Sequence, residues 1–135
     1  MMNKNFLITG ASSGLGEIFS RLISDIAKNI FIVGRNRSKL LKLQNKILKI
    51  NSKTKVTIVI TDLSKENGAS KLFNVFEKQK NIKHFDVLVN SAANFTVKKI
   101  EKISILQIKK DFQLNAISPF MISKYFGLKM KKNNK

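Results

Sequence analysis

Residues Thr9-Gly10-Ala11-Ser12-Ser13-Gly14-Leu15-Gly16 constrain the fold more than any other stretch of the chain. A short apolar run, Asn5-Phe6-Leu7-Ile8, precedes them and a long amphipathic run follows. Strand, glycine turn and helix in that order form a βα unit whose turn can hold a pyrophosphate. Gly10 lets the chain leave the strand in a tight turn. Gly14 removes a side chain where backbone must approach a phosphate, and Gly16 lets the helix pack closely on the strand. The first amides of such a helix point outward unpaired, and the helix dipole adds partial positive charge.

The same alternation continues along the chain. Leu15, Ile18, Phe19, Leu22, Ile23 and Ile26 are spaced for one face of a first helix. A second strand, Ile30-Phe31-Ile32-Val33, ends at Gly34-Arg35, and Ser38 reads as the cap of a helix carrying Leu40, Leu41, Ile47 and Leu48. A third strand, Val56 to Ile60, is closed by Thr61-Asp62-Leu63-Ser64. Ser64 reads as the next cap, before Leu72, Phe73 and Phe76. A fourth strand, Phe85 to Val89, ends at Asn90 and a loop, Ser91 to Thr96. From about Ser104 to Met130 the chain is helix-like, with Ile105, Ile108, Phe112, Asn115 and Ile122 spaced for one face or its edge and Pro119 placed to kink it. Four strands alternating with four helical segments imply an α/β fold with a doubly wound parallel sheet. Right-handed crossovers give the strand order 3-2-1-4, with ligand at the carboxyl ends where the winding reverses. Gly10 to Gly16, Arg35, Asp62 and Asn90 all lie at such ends.

Composition bounds the rest. The 135 residues have room for one domain and one core. There is no cysteine, and His84 is the only histidine, read as a loop or helix-end residue; this excludes disulfides and Cys- or His-cluster metal sites. No stretch has the length of a signal peptide or a membrane span, so a cytoplasmic location is expected. The net charge is +18, from 26 Lys plus Arg against 8 Asp plus Glu. Such a charge suits nucleic acid or an anionic membrane. However, only Arg21, Arg35 and Arg37 are arginine, the lysines are dispersed, and no basic stretch is interleaved with aromatics. We read the charge as the product of AT-rich codons for Lys, Asn and Ile, which still attracts small anions. Neither a specific nucleic acid nor a membrane is expected as partner.

With these motifs in place, the chain resembles the short-chain dehydrogenase/reductase family. Thr9 to Gly16 matches its Thr-Gly-x-x-x-Gly-x-Gly turn, and Asp62-Leu63 matches the acidic position after its third strand. Asn90-Ser91-Ala92-Ala93 is similar to its Asn-Asn-Ala-Gly motif with two substitutions, and Asn115 matches the asparagine of its long helix. The resemblance implies a Rossmann-type domain over residues 1–135 that binds NADP or NAD. It implies hydride transfer with a small-molecule alcohol or carbonyl substrate, and a homo-oligomer at full length. The Gly10–Gly16 turn, including Leu15, would hold the pyrophosphate, with Ser12 and Ser13 adding donors. Asp62 would accept from the adenine amino group beside the Leu63 backbone, and Asn90 and Ala92 would border the adenosine. Ala93 adds a methyl group where the family has glycine. Arg35 stands 19 residues after Gly16, where an acid would bind a ribose 2′-hydroxyl; its planar fork favours a 2′-phosphate, hence NADP over NAD.

The family performs proton transfer with an upstream serine and a Tyr-x-x-x-Lys pair on a later helix. Tyr125-Phe126-Gly127-Leu128-Lys129 fits that pattern literally. It is read as a decoy, because Tyr125 lies ten residues after Asn115 on the same helix, roughly 15 Å along the axis and about 280° around it. Lys129 to Lys135 resembles the loop before the family's fifth strand. The chain is therefore read as a family member cut short, inactive alone, with Asn115 its one catalytic-site position and strand 4 an uncovered edge. A non-catalytic dinucleotide-binding module is the alternative.

Overall fold

The computed structural model describes residues 3–133. Four parallel strands, β1 (Lys4–Thr9), β2 (Ala27–Gly34), β3 (Lys55–Ile60) and β4 (Val87–Asn90), form one sheet in the order β3-β2-β1-β4. The expected order and α/β class are those found. Successive strand residues point to opposite faces, so Phe6, Ile8, Ile30 and Ile32 enter one core and Leu7, Phe31 and Val33 the other. Helices α1 (Gly14–Leu22) and α2 (Arg37–Ile50) cover the first face. Helix α3 (Gly68–Glu77) and a long helical segment cover the second.

That segment begins as α4 (Ile105–Phe112), whose cap Ser104 accepts from the Gln107 amide at 3.2 Å. It widens into a π-helical turn over Gln113–Ile117 and resumes as α5 (Ser118–Asn133). Pro119 explains the widening. Its ring has no N–H to donate and would collide with the carbonyl four residues back in a regular helix. The core under α3 and α5 is aromatic: Phe31, Phe76, Phe85 and Phe126 pack edge to face or tilted, with Phe85 and Phe126 ring centroids 5.0 Å apart.

Several expected details are corrected. In α1 the buried residues are Gly16 and Ser20, whereas Leu15, Ile18 and Leu22 face outward, Leu15 at 80% exposure. The cause is steric. A Cβ on Gly16 would stand 2.5 Å from the Gly10 carbonyl oxygen, so the helix docks through Gly16 and Ser20, with Phe19 half-buried against the same core. Ile26 lies beyond the end of α1. The cap of α2 is Asn36, which accepts from the Lys39 amide at 3.0 Å; Ser38 is already inside the helix. Ser64 caps no helix, since both its amide and its hydroxyl donate to Asp62 and α3 starts only at Gly68. Ile105, Ile108 and Phe112 do not share the buried face of Ile122; Phe112 is 64% exposed. Lys129 to Asn133 continue α5 rather than forming a loop, as helix-forming lysines at a C-terminal dipole end allow. Asn134 and Lys135 lie outside the described residues.

The two helical phenylalanines should therefore differ sharply. Phe126→Ala is expected to cost about 3–5 kcal/mol, and Phe112→Ala to stay within about 0.5 kcal/mol, both read from chemical denaturation monitored by far-UV circular dichroism. Equal losses would show that the α4 face is buried.

Candidate functional site

The carboxyl ends of all four strands meet at one edge of the sheet. Thr9 ends β1, and its hydroxyl accepts from the amides of Ser91 and Ala92, both at 3.2 Å. Gly10 follows with φ +67°, and a Cβ there would meet the Ala92 backbone at 2.7 Å. The glycine turn and the loop after β4 therefore touch backbone to backbone. The Ala11 amide donates to the Val33 carbonyl at 3.1 Å, tying the turn to β2 as well. Ser13 precedes α1 in extended conformation and makes no side-chain cap bond. Gly14 has φ +57° and only open space where a Cβ would stand.

A cleft of about 300 Å³ opens over this turn. Gly10, Ser12, Ser13, Gly14, Leu15, Arg35, Asp62, Leu63 and Ala92 line it, as do Val33, Gly34, Thr61, Ser91, Ala93 and Leu114. Nine of the sequence-predicted residues are thus brought together. Gly16 instead forms the helix–turn contact. Asn90 turns away, its amide donating to the Ser123 hydroxyl on α5 at 3.0 Å. Asn115 also lies outside the lining. Its side chain accepts from the Asn94 amide at 2.9 Å and donates to the Asn94 carbonyl at 2.8 Å.

Asp62 Oδ1 accepts from the Ser64 amide at 3.0 Å and its hydroxyl at 2.7 Å. Partial burial pushes the carboxyl pKa up. The two Ser64 bonds, with the Arg35 and Lys65 charges, outweigh it and hold the group below its ordinary value. Leu63 is fixed from above: the buried Ser118 hydroxyl donates to its carbonyl at 2.7 Å and accepts from Gln113 at 3.1 Å. The π-helical turn thereby delivers Leu114 to the cleft.

Residues that sequence reasoning missed form the outer support of the β4 loop. Asp111 accepts from Asn94, Thr96 and Gln107, at 2.7, 2.7 and 2.9 Å. The signal available was the rarity of acids: Asp111 is the only one between Glu101 and the C-terminus. Tyr125 and Lys129 sit elsewhere. The Tyr125 hydroxyl bonds Glu77 at the end of α3, and the Lys129 ammonium pairs with the same carboxylate at 3.0 Å. Burial and the Glu77 carboxylate push the phenol up to about 12. A larger groove, about 710 Å³, lies between the Ser64–Asn67 turn and α4, and none of the sequence-predicted residues lines it. Among the described residues no helix is long and apolar enough to cross a membrane.

The profile of the family described as short chain dehydrogenase matches residues 4–135. An uncharacterized oxidoreductase of Staphylococcus aureus (strain USA300) is 28% identical over 100 residues, 74% of this chain and 41% of that protein. A 3-oxoacyl-(acyl-carrier-protein) reductase of Rickettsia prowazekii (strain Madrid E) is 31% identical over 137 residues, 94% of this chain and 52% of that protein. The chain thus spans about half the length, or less, of these curated relatives. Among solved structures, the bulky-bulky ketone specific alcohol dehydrogenase from Comamonas testosteroni superposes with TM-score 0.86 at 18% identity, over 100% of this chain and 52% of that one. L-sorbose reductase from Gluconobacter frateurii, complexed with NADPH and L-sorbose, gives 0.84 at 20% identity, over 97% and 49%. These two share the fold.

Two measurements check the site. Gly14→Ala, strained only by its φ, should cost about 1–2 kcal/mol, and Gly10→Ala, which also strikes Ala92, should cost more, both by chemical denaturation. Asp62 is favoured in its charged form, so its bonds to Ser64 contribute fully above its ordinary pKa of 3.8 and are lost as pH falls through its lower folded value. Arg35→Gln should move the Asp62 carboxyl titration, followed by carbon NMR, up toward 3.8; an unmoved midpoint would mean that the Arg35 charge does not reach it.

Proposed function

The chain belongs to the short-chain dehydrogenase family, and from that premise we propose that its cleft holds a nicotinamide dinucleotide for an oxidoreductase acting on an alcohol or carbonyl. The observation that carries this reading is the open, left-handed Gly14 beside uncapped helix amides, a cradle that any side chain would fill. In it the Ser12, Ser13 and Gly14 amides and the Ser12 and Ser13 hydroxyls bind pyrophosphate, while the Ala11 amide stays on the Val33 carbonyl and Leu15 and the tightly docked Gly16 fix the helix end. Arg35 takes a 2′-phosphate, which favours NADP over NAD. Asp62, with Oδ1 committed to Ser64, offers Oδ2 to an adenine amino group beside Leu63 and Ala92. Asn90 joins the β4 end to α5, and Asn115 is the position carried over to the reacting side, where it holds the loop at Asn94. When bound, the nicotinamide ring supplies the hydride exchange.

On this reading the residues of this chain hold the cofactor and do not move the substrate proton. A phenol that donates to an alkoxide near neutral pH needs a lowered pKa. Tyr125 has the reverse, and it faces Glu77. The same fact favours the second reading, a non-catalytic dinucleotide-binding module. The outward apolar side chains Ile105, Ile108, Phe112 and Phe120 suit self-association of the full-length protein in the cytoplasm, while the dispersed lysines give no specific nucleic-acid surface.

The purified 135-residue chain is expected to bind NADPH more tightly than NADH in a fluorescence titration, with no turnover on a panel of alcohols and ketones. Arg35→Gln should remove about tenfold of the NADPH affinity and leave NADH unchanged, and Gly14→Asp should abolish both. Failure to bind either nucleotide at millimolar concentration would sink the proposal; turnover would overturn the decoy reading of Tyr125.

A further inference from the structure

The wall of the cleft formed by Ser91, Ala92 and Ala93 is a short stretch of irregular backbone held at its two ends. Thr9 grips the near end through the Ser91 and Ala92 amides. The far end is Asn94, whose backbone N–H and C=O are both bonded to the Asn115 side chain. Asn94 in turn depends on Asp111. Asp111 Oδ1 accepts from Asn94 Nδ2 and Gln107 Nε2, and Oδ2 accepts from Thr96 Oγ1. Gln107 also donates to Thr96 at 3.2 Å, closing a ring of four side chains across the loop and α4.

The choice of partners is informative. In a chain with 26 cationic and 8 acidic side chains, the three hydrogen bonds of this carboxylate all go to neutral donors. The cations around it, Arg35, Lys65 and Lys110, line the adjoining hollow of about 280 Å³ together with Asp62, and Lys98 stands near enough for its charge to act. Charge neutralisation alone does not select two loop side chains, two residues apart, plus one from the previous helical turn. A carboxylate accepting charge-assisted bonds from both ends of that tripeptide is a clamp. The bonds also draw the Asp111 pKa below its ordinary value, Thr96 and Asn94 contributing most.

We propose that Asp111 is a positioning residue for the cleft: acting through Asn94 and Thr96, it fixes the Ser91–Ala93 wall against the glycine turn at the separation a bound dinucleotide requires. The inference rests on the cofactor reading above. Asp111 is half-buried and belongs to neither core, so its loss acts on the loop before it acts on the fold.

The test is a double-mutant cycle in the full 135-residue chain with Asp111→Ala, Asn94→Ala and the pair together, reading the NADPH dissociation constant and the exchange rate of the Asn94 amide by NMR. Each single change is expected to weaken NADPH about tenfold, and the pair no more than the worse single, because the two residues act as one unit. Asn94 exchange should accelerate at least about tenfold in Asp111→Ala while β2 amides keep their protection. Unchanged Asn94 exchange, unchanged affinity, or multiplicative losses in the pair would each overturn the inference. A wild-type chain that binds neither NADPH nor NADH overturns the cofactor reading, and this role with it; wild-type binding with an indifferent Asp111 removes only the role. Should Asp111→Ala unfold, Thr96→Val removes one arm of the clamp from the loop side, and its failure to weaken NADPH is equally decisive.

Discussion

The contact between Gly10 and the Ala92 backbone governs the architecture of the cleft. With any side chain on Gly10, β1 and the loop after β4 could not close to this distance. The Thr9 hydroxyl converts that proximity into a bond by satisfying two loop amides that no strand partner reaches. The chain winds β1 to β2 to β3 on one side of β1 and returns to β4 on the other, so this is also where the winding reverses. Steric permission at one glycine thus decides whether the two halves of the sheet present a shared crevice.

Acidic side chains are scarce, and the structure places three of them at joints. Asp62 organises the turn after β3, Asp111 the loop after β4, and Glu77 the packing of α3 on α5 through Tyr125 and Lys129. Each carboxyl lies below its ordinary pKa, chiefly because hydroxyl and amide groups donate to the charged form, and at all three a nearby cation adds to this. The excess of lysine spreads over the surface, while the local geometry follows the few anions.

The parts legible in the sequence are those fixed by local rules. Strand runs such as Ile30 to Val33, buried on both faces, can be nothing else in a parallel sheet, and the glycine spacing announces its turn. The cleft residues Arg35 and Asp62 were legible because strand ends can be counted. The α3 face of Leu72, Phe73 and Phe76 was legible as well, but the face of α1 was not. Leu15, Ile18 and Leu22 have ideal helical spacing and face outward, because the docking face is chosen by the absence of a side chain at Gly16, a contact defined only in three dimensions. The caps at Ser38 and Ser64 failed for a related reason: nearby Asn36 and Asp62 compete for the same local bonds. The Asn94–Asp111 clamp joins residues 17 apart in a ring of side chains, and no periodic pattern encodes it.

The wide turn at Gln113–Ile117 sets the phase between everything before it and everything after. On an uninterrupted α-helix Leu114 and Ile122, eight residues apart, would point about 80° apart. One residue accommodated in the π-helical turn leaves an effective seven and brings them within about 20°, so Leu114 lines the cleft while Ile122 and Phe126 fill the aromatic core. The segment therefore behaves like a vernier between two scales. Substitutions there are absorbed one at a time, but a single-residue deletion would turn the whole of α5 by about 100° relative to α4, forcing the chain to choose between its crevice and its core.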